Sequence, residues 1–186
     1  MSERRILVVA ATAGELAGHD GLACGIGPVE AAAATARALA ESSPDAVLHV
    51  GLAGGVGLEA GTLVLGTESM YVDIAAAIPV VSRAEPDGEL LAALKDAFPD
   101  APALPIATSA AVGRSGLSGS EPLGAVVEAM EGFGVLRACE LAGVPAVEVR
   151  AISNELGEAD RSRWELERGL AALHEALPRL LAAARE

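Results

Sequence analysis

MEGFGVLRACELAGVPAVEVRAISN, residues 130–154, is the stretch on which the fold turns. Its first half has apolar groups nearly all round a helical wheel, so the spacing predicts a buried helix over 130–143, stopped by Gly143 and Pro145. Its second half, VPAVEVRAI, is a short apolar run rich in valine, as expected of a strand covered on both faces. A buried helix that leads at once into a buried strand belongs to a layered α/β domain. The strand ends on RAISN, and polar residues at the carboxyl ends of strands are where α/β sheets place ligands.

The same alternation extends outward. RILVVAA (5–11) is a continuous apolar run and the expected first strand of a central sheet. GIGPVEAAAATARALAE (25–41) places Pro28 at a first helical position ahead of an alanine-rich helix. DAVLHVGLAGG (45–55) is a strand running into a glycine loop, and GTLVLGTESMYVDI (61–74) another, bent at Gly66. GELLAALKDAF (88–98) is a short amphipathic helix; LPIATSAAV (104–112) is a strand that runs into the loop GRSGLSGSEP. From about Trp164 a covering helix carries Leu166, Leu170, Leu173, Leu177 and Leu181 at helical spacing, with a kink expected at Pro178. No repeat or linker interrupts the pattern, which predicts a three-layer αβα domain over residues 1–186.

Composition narrows the function. Hydrophobic residues reach 52% with only 2% aromatic and 21 glycines, so the core must be built from Ala, Val, Leu and Ile. A net charge of -13 leaves no basic patch able to neutralise a phosphate backbone, which excludes nucleic acid as an expected partner. No apolar run approaches the roughly 20 residues needed to cross a bilayer, and no secretory leader is evident. The expectation is a soluble, cytoplasmic protein whose two cysteines, Cys24 and Cys139, are buried reduced thiols.

Familiar motifs are absent. GIGPVEA begins like a dinucleotide fingerprint, but Glu30 stands where its third small residue should be, so a structural turn before a helix is the better reading. There is no Walker loop, no paired-cysteine pattern and no G-x-S-x-G elbow, and hence no expected metal or cofactor. His19, His49 and His174 are scattered and read as structural or solvent-facing. The informative polar residues are Glu15 after the first strand, Glu131 where the buried helix begins, and Arg150 and Asn154 at the last strand. Singly each has an ordinary alternative: a solvated loop residue, a charge on a helix N-terminus, an ion-pair partner, a cap or turn.

In combination, GIGPVEAAAAT, VGLAGGVG, MEGFGVLRACELAGVPAVEVRAISN and DRSRW resemble the purine nucleoside phosphorylase and nucleosidase superfamily, and within it the futalosine hydrolases of menaquinone biosynthesis. The resemblance implies a nucleoside phosphorylase-like domain with a central mixed sheet, a small-molecule nucleoside substrate, no cofactor, and a homo-oligomer. It places the water-activating glutamate of methylthioadenosine/adenosylhomocysteine nucleosidases on Glu15. The family's Met-Glu pair, packing on the ribose and binding its hydroxyls, falls on Met130 and Glu131, and the arginine near the attacking water on Arg150. Gly54 of the glycine loop and Phe133 complete the expected substrate-binding set. Phe133 is also, with Tyr71 and Trp164, one of the few rings available for stacking, and by itself each of the three reads better as core or interface than as a base platform.

Three departures carry information. The connection between the first strand and GIG is only about a dozen residues, shorter than is usual in the family, so the sheet is expected to be shortened near the N-terminus. Leu52 stands where the nucleosidases have a serine. Asn154 replaces the aspartate of the adenine-releasing enzymes. A 6-oxo purine presents N7 and O6, both acceptors, and an amide NH2 supplies two donors where a carboxylate supplies none. Asn154 therefore favours hypoxanthine over adenine, and hydrolysis of futalosine is the expected reaction. Hydrolysis or phosphorolysis of an inosine-like or 6-amino nucleoside and a non-catalytic binding role stay open beside it. Arg114, in the glycine-rich loop, is a candidate ligand for the benzoate carboxylate of such a substrate.

Overall fold

The apolar runs become strands because each is covered on both sides. The computed structural model describes residues 3–74, 76–111 and 126–186. In chain order it contains β1 (Ile6–Ala10), β2 (Leu22–Ala23), α1 (Pro28–Ser42), β3 (Ala46–Gly55), β4 (Leu63–Tyr71) and β5 (Arg83–Ala84). There follow α2 (Gly88–Ala97), β6 (Ala103–Thr108), β7 (Val127–Ala129), α3 (Gly132–Ala142), β8 (Ala146–Glu155) and α4 (Leu166–Arg185).

The strands form one mixed sheet in the order β2-β1-β3-β7-β6-β4-β5, with β8 paired to both β3 and β4. Those two pairings of β8 close part of the sheet on itself: β3, β8, β4, β6 and β7 form a ring in which each strand bonds the next. Ala53, Val64, Ile106, Val127 and Ile152, contributed by all five strands, pack together inside it. On one face of the sheet, Leu90 and Leu94 of α2 and Leu173, Leu177 and Leu180 of α4 cover Leu48, Val50, Val147 and Val149. On the other, Ala31 and Leu39 of α1 and Val135, Leu136 and Cys139 of α3 cover Val9 and Val47. The helix-sheet-helix layering follows from that two-sided burial.

Two glycines are required by geometry. A Cβ on Gly134 would lie 2.5 Å from the carbonyl oxygen of Pro28, so the close crossing of α3 on α1 depends on its absence. Gly143 ends α3 in the left-handed region, at φ 68°, as expected of a helix stop.

Some sequence expectations are refined. β8 does not end at RAISN but runs on through Glu155, because Asn154 and Glu155 still pair with Gly54 and Gly55. The register slips by one residue at Ser153, a bulge. Met130 and Glu131 are not helical: Val127–Ala129 form β7, Glu131 occupies the N-cap position, and α3 begins at Gly132. The irregularity expected at Gly66 is a register shift between Gly66 and Glu68. The short connection after β1 folds as turns leading to the two-residue strand β2. α4 begins at Leu166 and continues through Pro178.

Candidate active site

Period two in the strands creates the site. Val147 and Val149 face α2 and α4, so Glu148 and Arg150 are turned to the opposite face of β8. In β3, Leu48 and Val50 likewise leave His49 and Gly51 on that side. Gly51 pairs with Arg150, and a Cβ there would collide with the Arg150 guanidinium and approach Glu15 Oε1 to 2.9 Å. The glycine thus opens the space in which the Arg150 and Glu15 side chains meet.

Arg150 is wholly buried, and each of its three side-chain nitrogens has a partner. Its Nε donates to Glu148 Oε1 at 2.8 Å and its Nη1 to Glu131 Oε2 at 3.3 Å and to the Leu52 carbonyl at 3.5 Å. Its Nη2 lies 2.5 Å from His49 Nε2. His49 Nδ1 is 3.0 Å from the Val9 carbonyl oxygen and must carry its proton there, leaving Nε2 as the acceptor. Burial, then the adjacent guanidinium, hold the His49 pKa well below the usual histidine range, so the ring is neutral. Burial works against the Arg150 charge, but Glu148, Glu131 and Glu15 outweigh it and raise its pKa.

The carboxylates are positioned by the backbone. Glu15, 7% exposed, accepts from Thr12 N at 2.9 Å, Thr12 Oγ1 at 2.8 Å and Leu52 N at 3.0 Å. Leu52, where a serine was expected from the nucleosidases, thus enters the site through its main chain. Glu131 Oε1 accepts from Gly27 N at 3.1 Å, so the GIG turn that starts α1 also fixes this glutamate. Glu148 Oε2 accepts from Ser69 Oγ of β4. Glu15, Glu131 and Glu148 surround the single guanidinium with a neutral imidazole, which leaves two formal negative charges in excess in a buried cluster. Such a cluster favours a cationic guest and disfavours an anionic one.

The structure therefore brings Glu15, Glu131 and Arg150 together. Asn154 stands apart, three register steps up β8, roughly 10 Å at about 3.3 Å per residue. It is half-buried; its Nδ2 donates to the Glu155 carbonyl at 3.0 Å and its Oδ1 accepts from Ser153 Oγ at 2.8 Å. One of its two amide N–H donors is thereby engaged within the strand. Gly54 lies opposite, and a Cβ there would sit 3.0 Å from Asn154 Nδ2. Met130 is half-buried between β7 and α3. Phe133 stacks on Tyr71, ring centroids 5.4 Å apart at 14°, and its N–H donates to Thr108 Oγ1 at 2.8 Å. Trp164 is held locally, donating to the Glu158 carbonyl at 2.9 Å beneath Arg161. Arg114 lies outside the described residues.

Glu148 and His49 were not singled out from sequence as site residues. Their signal was present: a charge or an imidazole inside an otherwise apolar strand must find a buried partner. Cys24 and Cys139 are free and buried; burial pushes their thiols up to about 11 and about 12, so both are inert. A shallow hollow of about 280 Å³, lined by residues including Leu63, Phe98 and Arg179, lies beside α2 and α4, away from the carboxylates.

Residues 8–186 match the family model of the phosphorylase superfamily. The chain is 36% identical to the futalosine hydrolase of Streptomyces coelicolor over 184 residues, covering 88% of this chain and 78% of that protein. A methylthioadenosine/S-adenosylhomocysteine nucleosidase from Colwellia psychrerythraea, solved with adenine, superposes with a TM-score of 0.87 at 21% identity, over 99% of this chain and 97% of the other. The futalosine hydrolase of Helicobacter pylori gives a TM-score of 0.85 at 18% identity, over 96% and 97%. At such identities the two structures speak for the fold.

Proposed function

The chain belongs to the phosphorylase superfamily and, within it, to the futalosine hydrolase family of N-glycosyl hydrolases, and from that premise we propose how its residues act on futalosine, releasing hypoxanthine and dehypoxanthine futalosine in menaquinone biosynthesis. The observation that carries hydrolysis is the excess negative charge around Arg150. Breaking the C1′–N9 bond leaves positive charge on the sugar, which buried carboxylates stabilise as it develops. A phosphate dianion would meet Glu15 and Glu131 before any uncommitted cation among the described residues, so water is the nucleophile the site accommodates.

Each residue then has a part. Glu15, oriented by Thr12 and the Leu52 N–H, takes a proton from the attacking water as its oxygen bonds to C1′. Glu131 accepts from the ribose hydroxyls, with Met130 packed against the ring. Arg150 holds Glu131 and Glu148 in place and is the cation nearest the water. The electron pair of the broken bond departs on the base, where an amide N–H of Asn154 stabilises it at N7 or O6; for both donors to serve, the bond to the Glu155 carbonyl must open. Gly54 lies flat against the base and Phe133 closes the site beside Tyr71. We further infer a single domain acting as a cytoplasmic homo-oligomer. Exposed Ile78, Val80 and Val81 support self-association, and the two free thiols suit a reducing compartment.

The test is to incubate purified protein with futalosine, aminodeoxyfutalosine, inosine and methylthioadenosine, with and without phosphate, and to follow free base. Hypoxanthine from futalosine at a rate indifferent to phosphate is expected. No release from futalosine, or release only with phosphate, would overturn the reading.

A further inference from the structure

Glu148 is wholly buried, so it reaches no solvent, and it makes the shorter of the two ion pairs on the guanidinium at the centre of the site. Its Oε1 accepts from Arg150 Nε at 2.8 Å, against 3.3 Å between Arg150 Nη1 and Glu131 Oε2. Ser69 of β4 donates to its other oxygen. Gly132, the first residue of α3, supplies the room: a Cβ there would collide with both carboxylate oxygens of Glu148. The carboxylate is thus bonded from β4, bonded to Arg150, and seated in a space that any residue larger than glycine at position 132 would fill.

We propose that Glu148 is a positioning residue: acting through Arg150, it keeps the guanidinium from closing onto Glu131, so that Glu131 retains acceptor sites for the neighbouring ribose hydroxyls. The inference rests on the ribose-binding reading of Glu131 and deepens it. A carboxylate offers about four acceptor sites, two on each oxygen. On Glu131, Gly27 N–H takes one site of Oε1 and Arg150 Nη1 takes one of Oε2. One site is left on each oxygen, which is what a pair of adjacent hydroxyls needs. That balance holds only while Arg150 gives Glu131 a single N–H. Guanidinium and carboxylate groups otherwise close readily into two parallel N–H···O bonds, and a second bond would leave Glu131 one free site.

The surroundings of Arg150 agree with this. Glu148 and His49 stand in register on neighbouring strands, one bonding Nε and the other Nη2, so the fork is held at two points and only Nη1 faces Glu131. Among the described residues Arg150 pairs with Glu148 and Glu131 and not with Glu15, although Glu15 shares the space beside Gly51. Without Glu148 the Nε–H would have no acceptor in a dry interior. The guanidinium would then turn towards the carboxylates that remain, Glu131 and Glu15.

The experiment is calorimetric titration of the full chain at neutral pH with inosine and with 2′-deoxyinosine, which differ by one ribose hydroxyl. Wild type is expected to bind the riboside about 10- to 150-fold more tightly, the range for one hydrogen bond to a charged group. Glu148→Ala should bring the two nucleosides within about 2-fold of each other by weakening the riboside alone. Glu148→Gln, whose amide oxygen can still accept from Arg150 Nε, should keep a preference above about 5-fold. Gly132→Ala by itself favours a helix, but it displaces the Glu148 carboxylate; it should reproduce the loss seen in Glu148→Ala and add nothing when combined with it. A wild type indifferent to the 2′-hydroxyl would overturn the inference. So would a Glu148→Ala variant that keeps the preference, or one that weakens both nucleosides equally, as a merely structural carboxylate would. Futalosine turnover by wild type is scored separately: a riboside preference that Glu148→Ala abolishes, without turnover, sinks the hydrolase reading alone, and turnover with the preference intact in Glu148→Ala sinks this inference alone.

Discussion

Replacing Arg150 by methionine removes the guanidinium from a cluster that holds Glu148 at 2.8 Å and Glu131 at 3.3 Å, with Glu15 close by. Methionine fills similar volume, so packing changes little and the perturbation is electrostatic. Removing one partner of a buried pair costs about 3 to 5 kcal/mol, because the remaining charge has no partner. For a chain of this length, about 2 to 4 °C per kcal/mol gives a fall in Tm of roughly 6 to 20 °C at neutral pH. Arg150 itself does not titrate in any accessible range: its folded pKa is raised, so its contribution is constant below the arginine range. A second substitution, Glu148→Gln, should recover part of the loss, since the pair is coupled. Thermal unfolding at neutral pH, followed by circular dichroism, measures both effects. A Tm within about 2 °C of wild type, or a Glu148→Gln substitution that recovers nothing, would refute the claim that Arg150 is what makes three buried carboxylates tolerable.

Three other outcomes are expected. Glu15→Gln should lower kcat for futalosine by about 10² to 10⁴ with KM nearly unchanged, in steady-state assays of hypoxanthine release; a fully active variant would remove Glu15 as the base. Asn154→Asp should shift kcat/KM from the 6-oxo towards the 6-amino nucleoside, and unchanged discrimination would show that the amide does not read the base. Glu128→Gln should gain stability relative to wild type as pH rises from the ordinary glutamate value to about 7. The folded pKa of Glu128 is raised, so its stabilising contribution is complete below the unfolded pKa and lost as the pH passes about 7. A Tm difference that is flat over that range would contradict the burial assigned to Glu128.

Much of the fold was legible because its signals are local. RILVVAA, DAVLHVGLAGG and VPAVEVRAI are apolar runs bounded by glycine, proline or charge, and each is a strand in the structure. Pro28 does start α1 and Gly143 does stop α3. β7 escaped because a strand of three residues, Val127–Ala129, has too few positions to show a period; it exists by pairing with β3 and β6. β8 outlasted its apolar pattern because Gly54 and Gly55 pair with it beyond Ile152, which again is information from another strand.

The sequence by itself determined the residue types at the site and the chemistry each can perform: carboxylates for water and sugar, an amide in place of a carboxylate for the base. Residue type and strand periodicity are short-range properties that a single chain displays. Only the tertiary structure decided which of these groups meet. Gly51 makes room for the Arg150 side chain beside Glu15, the GIG turn reaches across 104 positions to hold Glu131, and His49 is neutral because it lies buried against a guanidinium. The pairing of β3 with β7 on one side and with β8 on the other puts Glu128 and Asn154 in register with Gly54, and the pairing of β8 with β4 closes five strands into a ring. Electrostatic balance and cross-strand register depend on distances between residues far apart in the chain, and those distances exist only once the sheet has closed.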